Sequence, residues 1–467
     1  MALAQSPQSP YRLLSQASHL SRTDKWVCLI LGVTCATMFV DVQYFVGGAR
    51  IRLFDLVFAS FILIYGLAVL ASGRLKRMPG IDFVAAYGVL TVYWVVNAAF
   101  LTGVSIAIKE TVQAISFVAF FWILTDLLAD ERRFRVFFIT FFCGIWALSL
   151  GNAAAFIASG DIYGFKQGAG AMKLTHSYSL VLSVLVGAFW LRKKSYLVLM
   201  LIIVAAALTI MSGERKAWLG AIAALVVGPA VADAGRLASG QLIKRILLVA
   251  AIALPFVFIA ETTTEKTYLT KQVSSTFSAI DKFFNPAYDP TTDFEETISN
   301  RARIYVTQRA NEVVADNPVF GMGVNKFDSY IDQISVGLPG WMAGGIHNEY
   351  LRIAAETGFV GLFLYAALLL VLARRVAICI RSMPYLDDHL KFRVRAGLAL
   401  LAYGIVMNAF RASSGLTVLV IFLPAAFLYF QAVVIRFPNG KLRLASPAIV
   451  ARGEDSEPEL ANTASRS

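Results

Sequence analysis

Runs of about twenty apolar residues recur along this chain, and they limit its fold more than any other feature. As a helix, such a run satisfies its own backbone and is long enough to cross the hydrocarbon layer of a membrane. We read spans near 26–46, 52–71, 81–101, 105–128, 134–158, 174–191, 195–211, 216–232, 244–260, 349–372, 396–411 and 415–435. The expected fold class is an all-α integral membrane protein with about twelve transmembrane helices. Composition agrees, because 58% of the 467 residues are hydrophobic and only 15% are charged. A soluble domain carries roughly 25% charged residues. So little charge cannot cover a water-facing surface of this size.

The formal net charge of +12 would suggest nucleic acid in a soluble chain. Its distribution gives another account, and no nucleic-acid partner is expected. With the N-terminus inside, the cytoplasmic connections hold Arg74, Lys76 and Arg77; Arg132, Arg133 and Arg135; Arg192, Lys193 and Lys194; and Arg236, Lys244 and Arg245. The segment 374–395 adds more. An even number of spans with basic inner loops puts both termini in the cytoplasm. The run 26–46 is too long for a signal-peptide core and lacks a small-residue cleavage site. Cys28, Cys35, Cys143 and Cys379 lack metal-ligand or redox spacing and read as small buried hydrophobes.

These spans divide the chain into a cytoplasmic segment 1–25, helices one to nine over 26–260, a large outer loop 261–348, helices ten to twelve over 349–435, and a polar tail 436–467 expected to be disordered. Polar loops as long as 261–348 are uncommon without a function. Within it, 297–315 reads as a helix, with Ile298, Ala302, Tyr305, Val306 and Val313 at helical spacing. The stretch GMGVNKF that follows reads as a glycine-rich turn.

Two residue types in the outer segments suggest chemistry. His347 closes the loop immediately before an apolar helix, which places it at the membrane–water boundary. Its structural reading is an interfacial histidine bonded to a carbonyl. Its functional reading is a general base, because histidine titrates near a pH of about 6.5. Arg215, in SGERKAWLG, starts a helix at the outer face, and Arg301 and Arg303 fall in the loop helix. Arginine here runs against the positive-inside bias, and a guanidinium fork suits phosphate. Ordinary ion pairing, such as Arg215 with Glu214, is the alternative. Glu349, Arg352 and Glu356 stand at helical-pair spacing, which ion pairing explains. The outer segments show no acidic cluster at metal spacing, and no metal or cofactor is expected.

The residues now quoted resemble a known family, the O-antigen ligase and O-antigen polymerase superfamily. HNEYLRIAAETGFVGLFLY is similar to its signature of a loop-closing His followed by Glu-x-Gly. SGERKAWLG is similar to its Arg-x-x-x-Leu-Gly element, and SNRARIY with DNPVFGMGVNKF to its Ser-x-Arg element and Asn-Pro-x-x-Gly-x-Gly turn. These elements occur in the family order and bracket the large loop.

The resemblance implies a bacterial inner-membrane enzyme whose fold is related to large membrane glycosyltransferases. Its donor would be a glycan on undecaprenyl diphosphate, used on the periplasmic face without a metal and with inversion at the anomeric carbon. The acceptor would be lipid A–core in lipopolysaccharide synthesis, the reading placed first, or a second carrier-linked repeat unit in polysaccharide polymerisation. By motif, His347 would be the base and Arg215 and Arg301 would hold the diphosphate, with Arg303 as their neighbour. Lys216, within SGERKAWLG, is a further candidate substrate contact, as are His176 and Lys173, which have no motif support. A twelve-helix secondary transporter is the alternative from another class; no internal repeat supports it, and the single large loop breaks two-fold symmetry.

Overall fold

The computed structural model describes residues 22–37, 43–46, 49–71, 79–158, 204–205, 219–224, 282, 285, 287–293, 298–340, 345–410, 421–430, 433–436 and 442–445. Its helices are α1 (Arg22–Thr37), α2 (Leu53–Ala71), α3 (Ile81–Leu101), α4 (Val104–Leu127), α5 (Glu131–Ala158), α6 (Ile298–Asp316), α7 (Phe327–Ile334), α8 (Glu349–Ser382), α9 (Asp388–Phe410) and α10 (Leu423–Leu428). Among the described residues three helical stretches are long and apolar enough to cross a membrane: α3, α4, and α8 with the turn that follows it. The spans expected at 174–191, 195–211, 216–232 and 244–260 lie largely or wholly outside the described residues.

Local signals explain where the helices start and stop. α3 follows Pro79-Gly80, and Gly80 takes a left-handed φ of 83° as its N-cap. Gly103, with φ 137°, makes the tight turn into α4. Asp130 caps α5 by accepting from the amides of Arg132 and Arg133 at 2.8 and 3.2 Å. α3 buries Phe83, Tyr87, Leu90, Asn97 and Ala98 but exposes Val89, Val92, Val96 and Phe100. An apolar stripe left outside at helical spacing is what lipid solvation requires. Inside, Phe422 meets Phe83, Tyr87 and Phe117 with ring centroids 4.8–5.4 Å apart, joining α10 to α3 and α4. Cys28 and Cys35 are buried on α1, as is Cys379 on α8, whereas Cys143 is exposed.

The chain departs from the expected all-helical pattern in three places. The first span, expected over 26–46, ends as a helix at Thr37; Gln43–Val46 instead pairs antiparallel with Ala49–Arg52, as β1 and β2. Gly47-Gly48 stands between these strands, a two-residue sequence suited to a hairpin. The twelfth span, expected over 415–435, is helical over Leu423–Leu428 and gives way to β3 (Val433–Arg436). The tail expected to be disordered contributes β4 (Leu442–Ala445), which pairs antiparallel with β3. Arg443 between two leucines supplies the alternation of a strand.

Two arginines from the basic segment 374–395 receive the end of α10. Arg375 donates from Nε to Leu428 O at 2.9 Å and from Nη2 to Phe430 O at 3.0 Å. Arg393, 1% exposed, donates to Leu128 O at the end of α4 and to Ala426 O in α10, at 2.6 and 3.0 Å. Carbonyls at helix C-termini lack intrahelical partners, and cations are favourable there. Charges expected only as topology signals are therefore also structural caps.

Candidate functional site

The glycine-rich turn after α6 and the start of α8 form one interlocked unit. α8 is continuous apart from Gly358, whose φ of 67° and ψ of −169° break it into segments 349–357 and 359–382. An unbroken helix would bond the amides of Phe359 and Val360 to the carbonyls of Ala355 and Glu356. Here those amides donate to Pro318 O at 2.7 Å and Val319 O at 3.3 Å. The freed carbonyls of Ala355 and Glu356 accept from the amides of Met322 and Gly323, each at 2.9 Å. Two intrahelical bonds are thus exchanged for four bonds to the turn. Gly321 and Gly358 are required there: both have positive φ, and a Cβ on either would overlap backbone atoms of the opposite segment.

α3 supplies the floor beneath this joint. Tyr93 Oη donates to Thr357 O at 2.7 Å. Asn97 donates from Nδ2 to Phe320 O at 2.7 Å and accepts from Val324 N on Oδ1 at 3.2 Å. Thr102 Oγ1 donates to Val324 O at 2.9 Å. From α4, Glu110 Oε1 accepts from Asn325 Nδ2 at 2.7 Å. Asn325 has a φ of 59°, which asparagine tolerates better than most residues. Sequence reading missed Tyr93, Asn97 and Thr102, although Asn97 is an amide inside an apolar span, where polar groups are costly.

His347 stands just ahead of this joint. Ile346 is buried in a cluster with Tyr305, Val306, Ala310 and Val313 of α6, Phe327 and Ile331 of α7, and Ala355. Asn348 caps α8, its Oδ1 accepting from Tyr350 N at 3.0 Å and Leu351 N at 3.2 Å. Between a buried anchor and a cap, His347 is exposed. The helix begins after the histidine, so His347 does not share a helical face with Glu356.

The loop helix forms as expected over Ile298–Asp316, with Tyr305, Val306 and Val313 buried and Ile298 left 58% exposed. Arg301 is 5% exposed and donates from Nε to Pro290 O and from Nη2 to Thr291 O, each at 2.7 Å. Gln308 Nε2 donates to Tyr288 O at 2.8 Å, so α6 grips the preceding turn at two points. In that turn Asp289 accepts from the hydroxyl and amide of Thr291, which hold its carboxyl below the ordinary value. Arg303 is half-buried. Arg301 lies one helical turn before Tyr305, and His347 is adjacent to Ile346; the packing of α6 on α8 therefore joins their elements through one apolar cluster. Arg215, Lys216, His176 and Lys173 lie outside the described residues.

The helical ion pairs are formed. Arg352 holds Glu349 with two bonds, Nη2 to Oε1 at 2.5 Å and Nε to Oε2 at 3.1 Å, and Glu356 with Nη1 to Oε2 at 2.8 Å. Both carboxylates are buried, at 1% and 3% exposure. Arg352 and Glu356, but not Glu349, border a cavity of about 30 Å³ together with Glu110, Gln113, Asn325 and Trp94. No group of three or more His, Cys, Asp or Glu suited to a metal occurs among the described residues.

Comparison with known proteins bears on the same segment. No curated protein matches the chain. Residues 200–366 match the family model described as O-Antigen ligase, Wzy_C. That range contains every motif on which the resemblance rests, from SGERKAWLG to the Glu-x-Gly element. Apolar membrane-length helices together with this match support a multi-pass membrane protein of glycosyltransferase type. The match gives no support to a transporter, and over residues 200–366 this chain is similar to the O-antigen ligase superfamily.

Proposed function

We propose that this protein transfers a glycan from undecaprenyl diphosphate to an acceptor hydroxyl at the periplasmic face of the inner membrane. Ligation of O-antigen to lipid A–core is the reaction we place first. The observation that carries this reading is the exposed His347, held between a buried anchor and a helix cap inside the matched segment. In this reading both termini are cytoplasmic and residues 261–348 are periplasmic, as the basic inner loops suggest.

The chemistry follows from the groups involved. The acceptor hydroxyl gives its proton to His347, and its oxygen forms a bond to the anomeric carbon. The bond from that carbon to the diphosphate oxygen breaks, and its electron pair leaves with the carrier diphosphate. Attack opposite the leaving group inverts the anomeric centre. A diphosphate needs no protonation to depart, but its growing charge needs fixed cations. Arg215 and Arg301 would supply them, with Arg303, Lys216, Lys173 and His176 as further contacts. No metal enters the scheme, so transfer by the purified protein should persist in chelator.

Deletion of the gene tests the reading directly. Loss of a ligase strands full-length polymer on the carrier lipid and leaves lipopolysaccharide without it. Loss of a polymerase leaves core bearing a single repeat unit, which would favour the second acceptor. Unchanged lipopolysaccharide and carrier-linked glycans would overturn both.

The arginines separate by their surroundings. Arg215→Ala is expected to weaken donor binding, and Arg215→Lys to rescue only part of it, because an ammonium cannot reproduce the bidentate fork. Arg301→Ala should weaken donor binding and also loosen the 288–293 turn, since its guanidinium holds the carbonyls of Pro290 and Thr291. Donor titration and limited proteolysis on the same variants read the two effects. Normal donor binding by Arg215→Ala would remove that arginine from the diphosphate site.

A further inference from the structure

The segment 349–357 is short, and a helix of that length is marginal without tertiary support. It is separated from the rest of α8 by the break at Gly358 and leads directly from His347. Its orientation therefore sets where His347 stands. The cap at Asn348 and the backbone exchange with the turn hold its two ends. Between them Arg352 pairs with Glu349 and Glu356 of the same segment, and the Glu356 carboxylate accepts from the backbone amide of Asn325 in the turn.

Arg352 faces two carboxylates on its own helix, Glu349 and Glu356, and the cluster continues to α4 across the cavity. Asn325, in the turn between α6 and α7, connects to that side through Glu110. Glu110 lines the same cavity, and the two other carboxylates pair with this guanidinium. Burying Glu349 and Glu356 together depends on it, because an unpaired buried carboxylate is strongly unfavourable. Glu349 is two residues from His347 and receives the two-point contact, so a change at the guanidinium is felt first at the histidine's end of the helix.

We infer that Arg352 is a positioning residue for glycan transfer: through Glu349 and Glu356 it fixes segment 349–357, and hence His347, against the glycine-rich turn. It touches neither donor nor acceptor in this role. The inference rests on the proposed transfer reaction.

The test uses purified full-length protein in lipid, with Arg352→Lys and Arg352→Gln made in the wild-type and His347→Ala backgrounds. Arg352→Lys keeps the charge but cannot hold both Glu349 oxygens and Glu356 in one plane. We expect it to fold, to bind the carrier-linked donor as wild type does, and to lose turnover by about 10²-fold, the scale of a small misplacement of a catalytic group. Arg352→Gln should lose more, and its thermal stability should fall as well. In the His347→Ala background, Arg352→Lys should cost no further turnover, because the group it positions is already gone. Full turnover by folded Arg352→Lys would overturn the inference, as would an equal loss in both backgrounds or a loss of donor affinity. A wild-type protein that transfers no glycan would overturn the transfer reading and this inference together.

Discussion

His347→Ala should lower the turnover of glycan transfer by about 10²–10⁴-fold while leaving donor affinity near its wild-type value, the range expected for removal of a general base. The structure makes this separation possible. His347 is exposed, the fold around it is held by Ile346 and Asn348, and neither contact uses the imidazole for helix capping. The Ile346 anchor and the Asn348 cap are both retained in His347→Ala. Turnover and donor titration on one preparation, with thermal unfolding as a check, read the outcome. An active His347→Ala protein would remove the base assignment.

The second large effect is expected from Gly358→Ala. Its φ and ψ lie in a region that is essentially restricted to glycine, with a strain of about 1–3 kcal/mol for other residues. The added Cβ would also overlap the Val319 carbonyl, which itself receives the amide of Val360. Overpacking typically adds about 1–3 kcal/mol. A combined destabilisation of about 2–6 kcal/mol should appear as a large drop in melting temperature, with loss of the turn's packing on α8. Gly88→Ala is the matched control: it lies in α3, and a Cβ there meets nothing within 4 Å. A Gly358→Ala protein as stable as Gly88→Ala would show that the joint is not required for the fold.

Both residues could be named from the sequence, but only one could be given its role. The quoted motif contains His347 and Gly358 alike, and its spacing locates a histidine at the foot of a membrane helix. The break in that helix does not show in the letters. ETGFVGLFLY continues the apolar run, and one glycine inside a helix is ordinarily tolerated at modest cost. What opens the helix is a set of amides and carbonyls on residues 318–323, some thirty-five positions away. Arg301 is a similar case. Its position on a loop helix was legible, whereas the carbonyls of Pro290 and Thr291 that take its Nε and Nη2 were not, because a guanidinium's partners depend on how a turn folds back onto the helix.

Hydrophobic periodicity records which stretches must leave water, and it needs no partner to do so. For that reason the sequence by itself determined the membrane class, α3 and α4 to within a residue, a loop helix read over 297–315 and found over 298–316, and the family signature around His347. It could not determine which polar groups meet. Tyr93, Asn97, Thr102 and Glu110 reach the turn and the broken helix from more than two hundred residues away. The hairpins at 43–52 and 433–445 replace parts of expected spans through pairing that an apolar count does not register. Tertiary structure decided these features because a backbone or side-chain polar group inside an apolar protein must find a partner in space. Which partner it finds depends on the packing of the whole chain.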